Sequence, residues 1–185
     1  MNKITLLFIT LCFSTLTNAK LIKVSNEGAL LADDAKQWSC VLDDKSQLIW
    51  EVKVSKKGLQ DAQSTYTWFD GNSGVEDGEY SRNCQWGKGC NTQAFVQALN
   101  KSSLCQSSNW HLPSKSELMA LLVYNDDNPL INLKYFPNTQ PQPYWTSMSH
   151  GHDDNVAIDV PFFYGGTNGS DKSFDSYIRA ISNAK

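Results

Sequence analysis

Four cysteines limit how this chain can fold more than any other feature of its sequence: Cys40, Cys84, Cys90 and Cys105. A fifth, Cys12, lies in an apolar N-terminal segment of the kind that is removed on export. An even number of cysteines in an exported chain predicts two disulfides, for which three pairings are possible. We expect Cys84 to pair with Cys90 within a glycine-rich loop, and Cys40 to pair with Cys105.

The two expected bridges differ in how strongly they constrain the unfolded chain. In the chain-entropy model the long Cys40–Cys105 loop contributes about 4 kcal/mol and the short Cys84–Cys90 loop about 2 kcal/mol. The long bridge is therefore the structural one. Zinc binding is the alternative use of these cysteines, but no pair among them has the Cys-x-x-Cys spacing of a structural zinc site.

Residues 1–19 carry the pattern of a secretory signal peptide. An apolar run over Ile4–Leu16 follows Lys3, and small residues precede the expected cleavage site after Ala19. A membrane anchor is the alternative, but the run is well short of the roughly 20 apolar residues that a bilayer requires. The mature chain then begins at Lys20 and is exported to the periplasm, the cell surface or the medium, with no insertion into the membrane.

The mature length suits one domain, residues 38–185, preceded by a lead-in over residues 20–37. A chain of this size buries about 70% of its unfolded surface, which is enough for a core without a metal. The net charge is −3. It becomes −4 once the signal peptide, whose only charged side chain is Lys3, is removed. Nucleic acid and anionic membrane surfaces are therefore disfavoured as partners.

Residues 109–118 are predicted to anchor the core and start a helix. Pro113 favours an extended conformation before it, so that Trp110 and Leu112 point the same way. Ser114 and Glu117 have the spacing of a capping box, in which each side chain bonds the backbone N–H of the other residue. We expect a helix from Ser114 to about Tyr124. Its buried face carries three leucines, namely Leu118, Leu121 and Leu122.

The remaining elements predict an α+β fold, with mixed short strands, two helices and long loops. Trp38–Leu42 and Leu48–Val54 read as a hairpin, in which Glu51 and Lys53 lie on the face opposite the core. Further strands are expected at Thr65–Phe69, Tyr144–Ser147, Asn155–Val160, Phe162–Tyr164 and Ser176–Ile181, and the first helix at Thr92–Leu104, capped by Asn91 or Thr92. Five tryptophans are assigned to the core: Trp38, Trp50, Trp68, Trp110 and Trp145.

Several fragments, taken in order, carry a resemblance to a known family. They are Trp38–Val41, Leu48–Lys53, Gly58–Leu59, Thr65–Trp68, Cys90–Thr92, Phe95–Val96, Leu99–Asn100, Leu104–Cys105, Asn109–Ser114 and Tyr144–Ser147. Together they resemble the domain at the C-terminus of the Legionella collagen-like adhesin, a bacterial domain otherwise of unknown function. The resemblance implies a fold similar to C-type lectins and to formylglycine-generating enzymes, and a role in surface attachment or in a biofilm matrix.

The chain departs from that family in three respects. His111 stands where the family usually has Arg, and Gln47 stands where it has Gly. No collagen-like repeat precedes the domain, so the resemblance gives no oligomeric state. In the adhesin the domain is associated with sulfated glycosaminoglycans, but the negative net charge of this chain disfavours such ligands.

Consecutive aromatic residues at Phe162, Phe163 and Tyr164 are the first candidate for a ligand-binding surface. In a strand Phe163 would lie on the face opposite the other two, so that one side is available to stack on a sugar ring or a partner. The alternative is a strand that is covered on both sides.

The loop that begins at Asp70 is the second candidate. Asp70 and Asn72 supply oxygen ligands of the kind that calcium prefers. The loop does not fit the EF-hand template, because Val75 stands at the Gly position and Ser81 at the Glu position. Calcium is therefore an alternative, and we expect no cofactor.

His150 and His152, with Asp153 beside them, are a third candidate, for zinc or copper. In an extended segment both imidazoles would lie on one side. The alternative, which we favour, is a polar loop between two strands.

The sequence offers little for catalysis. It has no Gly-x-Ser-x-Gly elbow, no phosphate-binding loop and no His-Glu-x-x-His motif. Glu51 and Glu117 are the one carboxylate pair considered for glycoside hydrolysis, but Glu117 already has a capping role. We therefore expect a non-enzymatic exported binding module whose partner is a glycan or a surface protein. The alternatives are an envelope enzyme with an unrecognised site and a structural component of a surface assembly.

Overall fold

The computed structural model describes residues 20–78, 81–82, 84, 89–126 and 128–184. Within these ranges the strands form two antiparallel sheets, and two α-helices lie between the sheets in chain order. The predicted α+β class is confirmed, whereas the likeness to C-type lectins stays a prediction. The predicted signal peptide falls on residues 1–19, outside the described ranges. No helix among the described residues has the length and apolar character needed to cross a bilayer.

The first sheet joins the two ends of the described chain. Its strands, in spatial order, are β1 (Leu21–Val24), β2 (Cys40–Asp43), β3 (Leu48–Glu51) and β7 (Ile181–Asn183). The predicted hairpin is β2–β3, in which Val41 lies opposite Trp50. On its other side Trp50 lies opposite Ile181 of the last strand. Trp50 is therefore fixed at the centre of this sheet.

The second sheet is a meander of β4 (Pro143–Ser149), β5 (Val156–Pro161) and β6 (Asn168–Asp171). The strand predicted at Phe162–Tyr164 was wrong. The chain turns there instead, and Gly165 N donates a hydrogen bond to Pro161 O at 2.9 Å. A strand was missed at Asn168–Asp171, because its Asn-Gly-Ser-Asp sequence has the composition of a turn.

Two other predicted strands are reduced to isolated pairings. Within Thr65–Phe69, Tyr66 pairs with Ser176, and Thr67 pairs with Asn91. Within Ser176–Ile181, only Ile181 belongs to a regular strand, β7. These segments pair with different partners at successive residues, so they form no continuous ladder.

The helix α1 (Thr92–Ser102) forms where the periodicity predicted it. Asn91 is its N-cap, and the Asn91 Oδ1 accepts a hydrogen bond from Ala94 N at 2.8 Å. Phe95 and Leu99 are completely buried on one face of the helix. The 3.6-residue period therefore gave the correct core face.

The helix α2 (Lys115–Met119) is shorter than predicted. The capping box is present, since Ser114 N donates to Glu117 Oε2 at 2.7 Å and Glu117 N donates to Ser114 Oγ at 3.3 Å. The helix stops early because the chain extends again, and Val123 N donates to Leu130 O at 3.0 Å. A local antiparallel pairing, which also joins Leu122 to Ile131, thus overrides the helical spacing of the leucines.

Both predicted disulfides are present. Cys40 of β2 is bonded to Cys105, and Cys84 is bonded to Cys90. Cys40 and Cys105 are buried in the core, so the long bridge fixes the first sheet to the segment that follows α1.

The tryptophans define most of the interior. Four of the five assigned to the core have 2% or less of their surface exposed: Trp50, Trp68, Trp110 and Trp145. Trp38 is the exception, since it is only half-buried. Its Nε1 donates to Tyr135 O at 2.9 Å, and the Lys23 Nζ lies 3.8 Å from the centre of its ring. Trp38 therefore lies at the edge of the core.

Three charged residues are buried together, which the sequence did not predict. Glu51 and Arg179 are completely buried and Lys53 is 3% exposed, although the hairpin pattern assigned Glu51 and Lys53 to the face opposite the core. Lys53 Nζ lies 2.8 Å from Glu51 Oε1. Arg179 donates to the backbone oxygen of Glu51 and to Thr139 Oγ1, each at 2.7 Å. We call Glu51, Lys53 and Arg179 the buried ion group.

Removing the only acidic member of the buried ion group should be costly. In Glu51→Ala, Lys53 and Arg179 would share a buried region without a counter-charge, so we expect a loss of about 3–5 kcal/mol in the free energy of unfolding. Urea unfolding followed by tryptophan fluorescence measures it.

Glu51→Gln is the matched control, because its amide oxygen can still accept the hydrogen bond from Ala180 N. If the charge matters, this variant is destabilised nearly as much as Glu51→Ala. A loss below about 1 kcal/mol in both variants would contradict the role of the ion group.

Candidate functional site

A buried lysine joins the two loops that the sequence singled out for ligand binding. Lys172 Nζ donates to Ser73 Oγ, in the loop that begins at Asp70, and to Asp154 O, in the loop that contains the histidines, each at 2.7 Å. The same ammonium lies 4.4 Å from the centre of the Trp68 ring. Sequence reasoning missed Lys172, since a lysine in a polar turn looks like a solvated side chain.

The Asp70 side chain is fixed by its own loop. Asp70 Oδ1 accepts hydrogen bonds from Asn72 N at 2.9 Å and from Ser73 N at 2.8 Å. Partial burial alone would raise the pKa of Asp70. These two N–H groups and the positive charge of Lys172 outweigh that effect and hold the pKa below 3.8. Asp70 is therefore a carboxylate at neutral pH. The Asn72 side chain is exposed, and its backbone N–H makes the contact.

A pocket of about 250 Å³ opens beside Asp70. We call it the Asp70 pocket. Its apolar lining comes from Trp68, Phe69, Val96 and Leu112, and its polar lining from Asp70, Thr92, Gln93, His111 and Ser147. The residues come from the loop, from α1, from the segment before α2 and from β4. No sequence pattern could have assembled elements so distant in the chain.

Phe163 and Tyr164 lie on the surface, each with 58% of its area exposed, while Phe162 is completely buried. Tyr124 is 69% exposed and lies beside them. A Cβ atom on Gly165 would come within 2.7 Å of the Tyr124 hydroxyl, so the tyrosine lies directly against this glycine. We call Tyr124, Phe163 and Tyr164 the aromatic platform. Tyr124 was missed because its partners are about 40 residues away in the chain.

A chain of hydrogen bonds holds Tyr164 in the aromatic platform. The Tyr164 hydroxyl donates to Asn168 Oδ1 at 2.9 Å, and Asn168 Nδ2 donates to Asp159 Oδ1 at 3.3 Å. The Ser170 hydroxyl donates to the other Asp159 oxygen at 2.5 Å. Burial raises the pKa of Asp159, against the two hydrogen bonds from Ser170 and Asn168, which lower it. The exposed ring is thus supported by a buried carboxyl group.

The histidine candidates lie close together without a third ligand. The ring centres of His150 and His152 are 6.1 Å apart. His152 N donates to His150 Nδ1 at 3.3 Å, and Asp153 Oδ1 accepts from Asn155 N at 3.0 Å. In the described part of the chain, no group of three or more His, Cys, Asp or Glu side chains is arranged to hold a metal. Residues 151–155 are exposed and lie between β4 and β5, and metal binding here stays the less favoured interpretation.

The carboxylate pair considered for hydrolysis has structural contacts at both members. Glu117 closes the capping box of α2, and Glu51 belongs to the buried ion group. Each carboxylate is therefore already bonded to a partner within the fold.

A larger, open cleft of about 910 Å³ lies on the side of the first sheet that carries Trp38. Its exposed charges are Lys36, Lys56 and Glu27. Lys53 also borders it, but the Lys53 ammonium is turned inward to Glu51. The cleft therefore has only a small excess of positive charge.

Comparison with known proteins gives one result. The model of a protein family described as the Lcl C-terminal domain matches residues 39–182. No curated protein matches the chain. The matched range includes the Asp70 pocket and the aromatic platform.

Lys172→Met should loosen both loops without emptying the space beside Trp68. The methionine keeps an apolar stem over the ring but removes the donor for Ser73 and Asp154. We expect the free energy of unfolding to fall by about 1–3 kcal/mol. In hydrogen-exchange mass spectrometry, protection should decrease in both loops together. A change confined to one loop would contradict the link.

Asp159→Asn tests the buried carboxyl group through its pH dependence. The folded-state pKa lies above the ordinary 3.8. The folded state therefore holds this proton more tightly, and that contribution to stability is complete below the unfolded pKa and lost as the pH rises through the folded one. Asparagine does not titrate and keeps the shape of the group.

We expect the variant to gain stability relative to the wild type as the pH rises from about 4 to about 7. Urea unfolding at a series of pH values measures the difference. Parallel curves for the two proteins would contradict the raised pKa.

Proposed function

The chain belongs to the family of Lcl C-terminal domains, and on this premise we propose that it is a non-enzymatic, exported binding module. It attaches to a glycan at a cell surface or in a biofilm matrix. The aromatic platform of Tyr124, Phe163 and Tyr164 makes the main contact. This assignment goes beyond family membership, which supports an adhesin-like role without naming a ligand.

The aromatic platform is the observation that carries the proposal. Large apolar side chains on the surface of a soluble protein often mark an interaction site when they are grouped. Here two of the three rings are adjacent in one turn, and Tyr124 lies against the glycine that follows them. An aromatic ring can pack on the C–H face of a sugar ring while its hydroxyl bonds a sugar hydroxyl. The platform offers both kinds of contact.

The support beneath the platform favours binding as well. Tyr164 is held through Asn168 and the buried Asp159, and Phe162 is anchored in the core. A ring that is already fixed loses little conformational entropy when a ligand binds. The platform is therefore pre-organised.

The size of the platform favours a glycan over a protein partner. An aromatic side chain offers about 150–250 Å² when fully accessible. Three such side chains, each between 58% and 69% exposed, fall well short of the roughly 800 Å² that each partner contributes to a standard protein interface. A few stacked sugar rings need no more than this.

Export is supported by the cysteines. Two disulfides in one domain are typical of chains that fold in an oxidising compartment. The periplasm, the cell surface and the medium all provide such conditions.

Replacing a platform ring should remove glycan binding. We expect Phe163→Ser to weaken binding at least tenfold, about 1.4 kcal/mol, on a glycan array probed with the oxidised mature chain, with and without calcium. Because Phe163 is exposed, the free energy of unfolding should change by less than about 1 kcal/mol.

Phe174→Ser is the matched control. Phe174 is 63% exposed and follows the far end of β6, away from the platform. It should bind as the wild type does. Equal losses in both variants, or no glycan hit in either calcium condition, would sink the proposal. Self-association without any glycan ligand would favour a structural component of an assembly instead.

A further inference from the structure

The Asp70 pocket is a second concave surface, separate in sequence and composition from the aromatic platform. Its volume of about 250 Å³ lies just below the roughly 300–1,000 Å³ of pockets that take drug-sized molecules. The pocket is therefore large enough for one sugar ring and too small for a longer stretch of chain.

The lining of the pocket matches the two faces of a sugar ring. Phe69 and Val96, which are half-buried, and Leu112 supply apolar surface for the C–H groups of a ligand. Asp70 and His111 supply hydrogen-bonding groups for its hydroxyls. Although polar residues line the pocket in similar number, most of its exposed area is apolar, which is usual for a small-molecule site.

The polar groups keep unused acceptor capacity. Asp70 Oδ1 is engaged by two N–H groups, whereas no described residue donates to Asp70 Oδ2. His111 Nδ1 lies 3.0 Å from Asn109 O, which can only accept, so this nitrogen donates. In the neutral ring, His111 Nε2 is then an acceptor. Asp70 and His111 both line the pocket, and two residues with acceptor capacity suit a ligand with several hydroxyl donors.

The loop beside the pocket is held in place. A Cβ atom on Gly71 would come within 2.3 Å of Gln93 Nε2, and Gly71 has a φ of +101°, which favours glycine. The Gln93 amide therefore packs directly on the turn that carries Asp70. Lys172 fixes Ser73 at the other side of the same turn. The geometry of the carboxylate is thus set before any ligand arrives.

The charges of the pocket select among sugars. The Asp70 carboxylate and the nearby Lys172 ammonium compensate each other, so a carboxylate or a sulfate group finds no net positive charge to offset the loss of its hydration. A cationic ligand gains little either, because the Lys172 ammonium already compensates the same carboxylate. The electrostatics therefore favour a neutral sugar.

We propose that the Asp70 pocket binds one neutral monosaccharide unit, at the end of a glycan chain. This inference rests on the proposed function in taking the ligand to be a glycan. The pocket proposal and the platform proposal can nevertheless be refuted independently. The platform is tested with extended glycans and Phe163, and the pocket with free monosaccharides and His111.

The experiment is an NMR titration of the oxidised mature chain with glucose, galactose, mannose and N-acetylglucosamine. The imidazole signals of His111 are assigned by comparison with His111→Gln. We expect at least one of these sugars to shift the His111 signals saturably, with a Kd on the order of 1 mM. Glucuronate and glucosamine, which are charged, should bind at least about tenfold more weakly.

Val96→Trp should fill the pocket and abolish the shift. Gln97→Trp is the matched control, since Gln97 is the next residue on α1, is exposed and does not line the pocket. It should leave the titration unchanged. Asp70→Asn preserves the shape of the pocket and should weaken binding about tenfold, which covers the case in which Val96→Trp fails to fold.

Phe163→Ser should leave the His111 titration unaltered, so loss of platform binding would not count against the pocket. The proposal is overturned if no neutral sugar shifts the His111 signals up to about 100 mM, a hundredfold above the expected Kd. It is also overturned if the shift survives in both Val96→Trp and Asp70→Asn, or if a charged sugar binds more tightly than every neutral one.

Discussion

The buried ion group is the interaction on which the rest of the structure depends. Glu51 accepts a hydrogen bond from Ala180 N, and Arg179 donates to the backbone of Glu51 and to Thr139, in the loop before β4. Desolvation lowers the pKa of Lys53, and the attraction of Glu51 offsets this only in part. Burying a charge costs free energy unless an opposite charge and hydrogen-bond partners lie close enough to compensate it. The group therefore ties the first sheet, the C-terminal strand and the approach to the second sheet into one arrangement.

Ring contacts connect the aromatic platform to the buried ion group. The Arg179 guanidinium lies 6.0 Å from the centre of the Tyr144 ring, and Tyr144 meets Phe162 edge to face, with ring centres 5.0 Å apart. Phe162 is the last buried residue before the turn that exposes Phe163 and Tyr164. Because the buried ring cannot shift, the two exposed rings keep their orientation.

The sequence predicted what short-range chemistry determines. The capping box of Ser114 and Glu117 needs residues three apart, and the β2–β3 hairpin needs one turn, so both were found. Burial of Glu51 was missed because its partner Arg179 lies 128 residues away, and an alternating Glu-x-Lys pattern looks like a solvated strand face. Shortening of α2 was missed for a different reason: Val123 pairs with Leu130, only seven residues on, and the helical spacing of the leucines gave no sign of that local pairing. No local sequence pattern indicated the Asp70 pocket or the position of Tyr124 in the platform.

The two sheets differ in the contacts that hold them and in the surfaces that they border. The first sheet holds the ends of the domain, with the Cys40–Cys105 bridge and the buried ion group fixing it on both sides of β2–β3. Neither disulfide involves a strand of the second sheet. The loops of this sheet carry two rings of the platform, Phe163 and Tyr164, and the segment that Lys172 holds through Asp154 O. Since Lys172 bonds Ser73 as well as Asp154, the loop of the Asp70 pocket cannot move without disturbing the second sheet. The pocket and the platform thus both border the second sheet, at β4 and after β5, while His111 of the pocket is also paired with Ile181 of the first sheet.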